Sequence, residues 1–454
     1  MKVARHRPLV YAVAACALVV PLACSRSSET ITATHAPARS APQPPATTLV
    51  PGALGESSLR LDDVVVPAAL AKVENPPIVE APASMDRFYT RLAQVVRGTS
   101  DRPLRIAIYG DSNMTMDYIS GSLRRTLQNK FGDAGHGFVS FAQPWQWYRH
   151  MDVRHDVSKF GWAHYATSDR PVWDYHYGIS LMCCESDTPG AWSSVGTADD
   201  GEVGRVATSF DVYYLQRPRA GAFAVEIDGV RKKDVDTQAA TERATQESFQ
   251  VPPGAHTLKV VVTRGHVRLL GATLENGTSG VVVDTFGVGG LNYGQYNRVS
   301  ATTREPMLER RDYDLIVFLL GTNIYTTDER TAADIAYVVG LYRASLPSAS
   351  LLLLSPPDAE DDGRGIRQNW SGRMRKNRNA IERAAQANGV AFWDLWASMG
   401  GVGSMYKFHQ AGLADDDLIH FRKSGGAVIG RRFAEALLRG LRSFAEAHPT
   451  VGAK

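Results

Sequence analysis

Ser112, Asn323, Asp417 and His420 are the residues whose types and settings in this 454-residue chain could together perform nucleophilic chemistry. A serine hydroxyl is weak at its ordinary pKa. It needs a base, a group that orients the base, and donors for the oxyanion formed when it attacks a carbonyl. Asp417-Leu418-Ile419-His420 offers the base and its orienter, because a three-residue step before a helix lets carboxylate and imidazole face one cleft. Asn323, in Leu319-Leu320-Gly321-Thr322-Asn323, offers a side-chain amide donor. Gly287-Val288-Gly289-Gly290 offers a backbone N–H that no side chain obstructs, from Gly287, Gly289 or Gly290.

The elements that must position these groups are legible as strand–helix alternation. Leu104 to Tyr109 is apolar apart from Arg105, which suits a buried parallel strand, and the pattern turns helical from about Asp117. Ser112 therefore lies at the carboxyl end of a strand, where open α/β sheets bind ligands. Met85, Phe88, Leu92, Val95 and Val96 mark an amphipathic helix before that strand. Val281 to Asp284 and Asp314 to Leu320 read as strands, Thr331 to Ser345 as a helix, and Leu351 to Leu354 as a strand. Arg373 to Ala387 reads as a helix closed by Asn388-Gly389, and Val390 to Trp393 as a strand. Met399 to Asp416 is expected to be loop, and Lys423 opens a last helix that carries Ile429, Phe433, Leu437 and Leu441 on its apolar face. The alternation predicts a doubly wound parallel sheet of about five strands with helices on both faces.

The constellation resembles the SGNH (GDSL-type) hydrolase family, block by block and in order. Gly110-Asp111-Ser112 looks like its first block, with Ser112 as nucleophile and its own N–H in the oxyanion hole. Gly290 matches the second, Gly321-Thr322-Asn323 the third with Asn323 as side-chain donor, and Asp417-x-x-His420 the last. The resemblance implies a three-layer α/β/α, flavodoxin-like fold and a triad of Ser112, Asp417 and His420 that acts on esters without a cofactor or metal. Two positions depart from the family pattern: Ile324 replaces the frequent acidic residue after the asparagine, and Asn113 replaces the usual leucine or histidine after the serine. Neither is expected to touch a catalytic group.

Between about Trp145 and Gly280 the pattern becomes short runs separated by turns: Thr208 to Leu215, Ala222 to Ile227, His256 to Val262 and Val267 to Leu274. Asp228-Gly229 signals a hairpin and Pro252-Pro253-Gly254 a turn. These features predict an antiparallel β-sandwich inserted in the hydrolase domain. Trp145, Trp147, Trp162, Trp173 and Trp192 crowd its first third. They fill the sandwich core or stack on sugar faces, and Trp145 and Trp147 are the better ligand candidates because they follow the loop leaving the nucleophile helix. Gly132 to Val139 is read as that loop, with His136 structural. An inserted sandwich beside an SGNH domain resembles the arrangement in peptidoglycan and polysaccharide O-acetylesterases.

The expected organisation is then a signal peptide over 1–24, a Pro/Ala/Ser/Thr-rich linker over 25–83, hydrolase segments over 84–144 and 281–446, and the insert over 145–280. Lys2, Arg5 and Arg7 precede an apolar run from Leu9 to Ala23, the layout of a secretory signal. Pro21-Leu22-Ala23-Cys24 resembles a bacterial lipoprotein box, which would lipidate Cys24, tie the protein to a membrane and place it in the periplasm or cell envelope. Val13-Ala14-Ala15-Cys16 fits by residue type but leaves a very short apolar region. Cys183 and Cys184 are adjacent and expected to stay as thiols. No Cys-x-x-Cys or His-Glu-x-x-His suggests a metal, and a net charge of +3 with scattered basic residues gives no support for nucleic-acid binding. The setting of Ser112 is not Gly-x-Ser-x-Gly, which disfavours an α/β-hydrolase elbow. The expected activity is hydrolysis of short acyl esters, acetyl above all, on an envelope glycan. The alternatives are transfer of the acyl group to a sugar hydroxyl and a non-catalytic carbohydrate-binding role.

Overall fold

The apolar run at Leu104 becomes the central strand of a five-stranded sheet. The computed structural model describes residues 67–448 except 278 and 362–368, together with 54 and 59–61. Strands Val281–Gly287, Leu104–Gly110, Leu315–Leu319, Ser350–Leu354 and Ala391–Trp393 lie side by side in that order, every neighbouring pair parallel. The chain starts in the middle of the sheet, adds one strand on one side and then three on the other. The carboxyl ends of Leu104–Gly110 and Leu315–Leu319 therefore flank the point where the winding reverses.

Side-chain alternation along each strand feeds two apolar layers. Ile106 and Ile108 face helices Asp86–Val96, Tyr118–Phe131 and Lys423–Ala447, represented by Leu92, Leu127 and Leu437. Ala107 and Tyr109 face helices Ala301–Arg311, Asp328–Ser345 and Trp370–Ala387, represented by Leu308, Val338 and Ile381. The fold is the expected three-layer α/β/α arrangement with a β-rich insertion.

The insertion is two antiparallel sheets. One joins Arg243–Gly254, Ala207–Gln216, Val267–Glu275, Met182–Ser186 and Ala163–Ala166; the other joins Val153–Val157, Trp192–Thr197, Thr257–Arg264, Ala222–Ile227 and Val230–Asp236. Their facing sides enclose a core of Val212, Val225, Leu258, Val260 and Leu269. The outer face of the first sheet is buried too, because Tyr213, Leu270 and Cys183 join the apolar layer of the hydrolase. Cys183 and Cys184, on successive positions of one strand, thus enter different cores and remain free thiols. Burial pushes the Cys183 thiol up to about 12. The Asp228-Gly229 hairpin turn is present, both residues having positive φ, at 53° and 76°.

Four expectations are corrected. Gly137–Val139, read as loop, is a strand paired with Ala272–Leu274, so the antiparallel region opens before Trp145. Pro252 to Gly254 continues the strand Arg243–Gly254 through a register irregularity and is no reversal. Residues 399–416 contain the helix Ser404–Gln410. Residues 67–83, expected as linker, pack on the hydrolase: Leu70 is buried, and Val79 exchanges main-chain hydrogen bonds with Phe392, covering the edge strand Ala391–Trp393. The composition of that segment concealed the few apolar and backbone groups that anchor it. Cys24 and the rest of the expected signal peptide lie outside the described residues.

Candidate active site

The nucleophile turn is built by close backbone approach. After Gly110 the chain turns into a short 3-10 helix, Ser112–Met114, capped by the Asp111 carboxylate, which accepts the Asn113 N–H at 3.1 Å. A Cβ on Gly110 would stand 2.0 Å from Met114 Cγ, and one on Gly287 would stand 2.4 Å from the Met114 carbonyl carbon. Only glycines let the turn fold back over the strand ends. Ser112 is thereby half-exposed at the sheet's carboxyl edge, while Asp111 and Asn113 on either side are buried.

Asp417 and His420 arrive from the far end of the chain. His420 Nε2 lies 2.7 Å from Ser112 Oγ, and His420 Nδ1 lies 2.6 Å from Asp417 Oδ2. The other Asp417 oxygen accepts the main-chain N–H groups of Ile419 and His420, at 2.9 and 3.0 Å. Leu418 adopts a left-handed φ of 56°, which curls the chain around that carboxylate. A non-glycine residue holds such a conformation only where its surroundings impose it. Here Leu418 is buried in the apolar layer and its carbonyl accepts the Glu360 N–H.

Electrostatics match this geometry. Burial works against charge on Asp417, but the His420 hydrogen bond and the two N–H groups outweigh it and lower the carboxyl to about 2. Burial also disfavours the His420 imidazolium, yet the hydrogen bond and charge of Asp417, with Asp111 and Asp415 more remote, raise it above the ordinary value. A carboxylate that stays ionised against a readily protonated imidazole lets the imidazole take the serine proton.

The donors converge on the same edge. Asn323 Nδ2 reaches the Leu291 carbonyl at 3.4 Å, setting the amide beside the Gly289-Gly290 turn. Asn377 fastens the Asn323 loop from beneath by donating to the carbonyls of Gly321 and Ile324, at 2.9 and 3.0 Å. Gly290 has a left-handed φ of 75°, and among the described residues no acceptor takes the N–H of Ser112 or Gly290. Gly287 ends the strand against Met114, which leaves Gly289 and Gly290 as the glycines at the turn.

The two tryptophans part company. Trp145 sets its ring edge-to-face on Tyr148 against the hydrolase core, whereas Trp147 is 54% exposed. Their loop reaches the site, since Arg149 N–H bonds the Thr115 carbonyl. His136 is buried, its ring paired with His150 at 3.1 Å. Asn113 was overlooked: its side chain accepts the N–H of Phe421, directly after His420. Among the described residues no cluster of His, Cys, Asp and Glu suits a metal ion.

Comparison with known proteins agrees with the arrangement. Residues 255–428 match the GDSL-like lipase/acylhydrolase family, a span that holds Gly290, Asn323, Asp417 and His420; the fold brings Ser112 to them across the insertion. A solved structure of a peptidoglycan O-acetylesterase shares the fold with a TM-score of 0.67 at 23% identity, over 81% of this chain and 99% of that one. A family two carbohydrate esterase from Cellvibrio japonicus aligns with a TM-score of 0.27 at 11% identity, over 64% of this chain and 99% of that one. Comparison with the curated proteins gives no match. With the four blocks gathered on one sheet edge, the chain carries a GDSL-like lipase/acylhydrolase domain over residues 255–428, and its serine, histidine and aspartate stand as in an ester-hydrolysing enzyme.

Proposed function

We propose that the protein removes short acyl groups, acetyl above all, from hydroxyls of an envelope glycan such as O-acetylated peptidoglycan. The observation that carries the chemistry is the unbroken line from Ser112 Oγ through His420 to Asp417, at 2.7 and 2.6 Å. In this reading His420 Nε2 takes the Ser112 proton as Oγ attacks the ester carbonyl, and Asp417 holds the other ring nitrogen protonated. The N–H groups of Ser112 and Gly290 and the Asn323 amide receive the oxyanion. His420 then protonates the departing sugar oxygen, leaving an acetyl ester on Ser112. Water, deprotonated by the same ring, attacks that ester, and the ring returns the proton to Ser112 Oγ as the acyl–oxygen bond breaks and acetate leaves.

The glycan part of the reading is supported by the neighbouring O-acetylesterase fold and by the insertion packed beside the site with Trp147 exposed. The envelope location is supported by the charged, apolar and cysteine-containing N-terminal sequence. Lipidation of Cys24 predicts recovery in the membrane fraction, lost in Cys24→Ala.

The test is acetate release from O-acetylated peptidoglycan and from aryl esters of increasing chain length. Turnover of acetate that declines with longer chains and disappears in Ser112→Ala is expected. Turnover that survives in Ser112→Ala, or a preference for long chains, would overturn the reading.

A further inference from the structure

Trp173 is the most exposed large apolar side chain among those described, at 84%. Its ring meets no aromatic or cationic partner among the described residues, whereas Trp192 lies under Lys259 and Trp370 stacks on Arg373. An indole left in water forgoes the burial that ordinarily places tryptophan inside.

The turn that displays it is held firmly on both sides. Val172 is buried in the apolar layer, and its N–H bonds the Tyr177 hydroxyl at 2.7 Å. The Asp174 side chain is buried against Arg268 at 2.7 Å and Arg217 at 3.4 Å. Tyr175 has a left-handed φ of 57°, and its carbonyl accepts the Ser300 N–H. The exposure of Trp173 is thus imposed by its neighbours and does not come from a loose loop.

The same segment borders the oxyanion turn. Ser168 Oγ donates to the Gly289 carbonyl at 2.6 Å, and Arg298 donates to the Thr167 carbonyl at 3.3 Å. Beyond the turn's own neighbouring residues, Ser168 Cβ would stand 3.8 Å from a Cβ placed on Gly290. The loop of Trp147 is tied to the nucleophile turn as well, through the Arg149 N–H on the Thr115 carbonyl.

We infer that Trp173 is a carbohydrate subsite: its indole face stacks on a sugar ring of the acylated glycan, while a nearby ring of the same chain presents its ester to Ser112. A sugar ring offers a face of C–H groups to an indole and keeps its hydroxyls in water, so a fixed, exposed ring beside a polar rim suits it. Exposed Asp169 and Arg170 in the same segment supply that rim. The subsite rests on the glycan-esterase reading above and specifies where the insertion grips the polymer.

The test is calorimetric titration of a soluble O-acetylated peptidoglycan oligosaccharide into the full chain carrying Ser112→Ala, with and without Trp173→Ala. Loss of the stacked ring is expected to weaken binding about tenfold. Trp173→Tyr, which keeps a smaller platform, should recover most of it. Equal affinity with and without the indole would overturn the subsite, as would no binding by a protein whose Ser112 form cleaves aryl acetate. Absence of acetate release from every ester by the Ser112 form would instead sink the esterase reading itself.

Discussion

Asn113 Oδ1 accepts the main-chain N–H of Phe421 at 3.2 Å, so the serine turn and the histidine turn are joined by two adjacent bonds, Ser112 to His420 and Asn113 to Phe421. The second bond is buried. Asn113→Leu, which installs a residue usual in the family, would leave the Phe421 N–H unpaired at a cost of about 1–3 kcal/mol. It should also loosen the register of the imidazole. The expected outcome is a kcat reduced by about tenfold or more with KM little changed, read alongside the loss of thermal stability. Unchanged kcat in a destabilised variant would show that the bond serves folding alone.

The pH dependence follows from the raised His420. The base must be neutral to accept the serine proton, so kcat/KM should fall as pH drops through a midpoint above the ordinary imidazole value of about 6.5. Asp417→Asn removes the charge that raises it. In that variant the midpoint should move to lower pH while the plateau falls by about a thousandfold or more. A midpoint that stays in place would mean that Asp417 does not hold the imidazolium.

The constellation is legible in the sequence as four short blocks in one order, whereas Ser112 after a strand, Asn323 in a turn or His420 taken alone would each pass for an ordinary structural residue. Ser112 follows an apolar run, and Asp417 and His420 share one turn, so each block is short enough to be read locally and their common order carries the recognition. What stayed hidden depends on long-range pairing. Gly137–Val139 is a strand because Ala272–Leu274 lies beside it, and the exposed strand Val230–Asp236 has almost no apolar alternation to betray it. The helix Ala301–Arg311 is polar and contains Pro306, signals that argue locally against a helix. In the sequence Asn113 looks like a harmless departure, because its partner, Phe421, stands at the other end of the chain. Trp173 was one tryptophan of five until its neighbours' anchors set it apart from the packed ones.

The glycine turn proposed to receive the oxyanion gives a prediction that separates two adjacent glycines. Gly289 lies outside the left-handed region and an added Cβ would meet nothing within 4 Å, whereas Gly290 has φ of 75°. Gly289→Ala should therefore fold and turn over nearly as the parent does. Gly290→Ala pays a backbone strain of about 1 kcal/mol and displaces the N–H, and should lower kcat. Asn323→Ala, which deletes the side-chain donor, should cost about 100-fold or more in kcat. Equal losses in the two glycine variants would move the donor to Gly289 or to both.

Behind the nucleophile turn, Asp117 and Arg124 form a wholly buried ion pair at 2.7 Å that also holds the insertion. Asp117 accepts the Met151 N–H and the Thr285 hydroxyl, and Arg124 bonds the Met151 carbonyl and reaches Asp152. Burial opposes charge on Asp117, yet Arg124 and the nearby histidines outweigh it and hold the carboxyl far below its usual range. Arg124→Leu should strand that carboxylate and destabilise the protein by about 3–5 kcal/mol at neutral pH. The sign of the pH effect is set by the depressed carboxyl. The stabilisation is fully present above the unfolded value of about 4 and is lost as pH falls toward the folded one. Denaturant titrations of parent and variant should therefore differ most at neutral pH and converge in acid. A gap that does not close on acidification would assign the loss to packing of the long arginine stem and not to the ion pair.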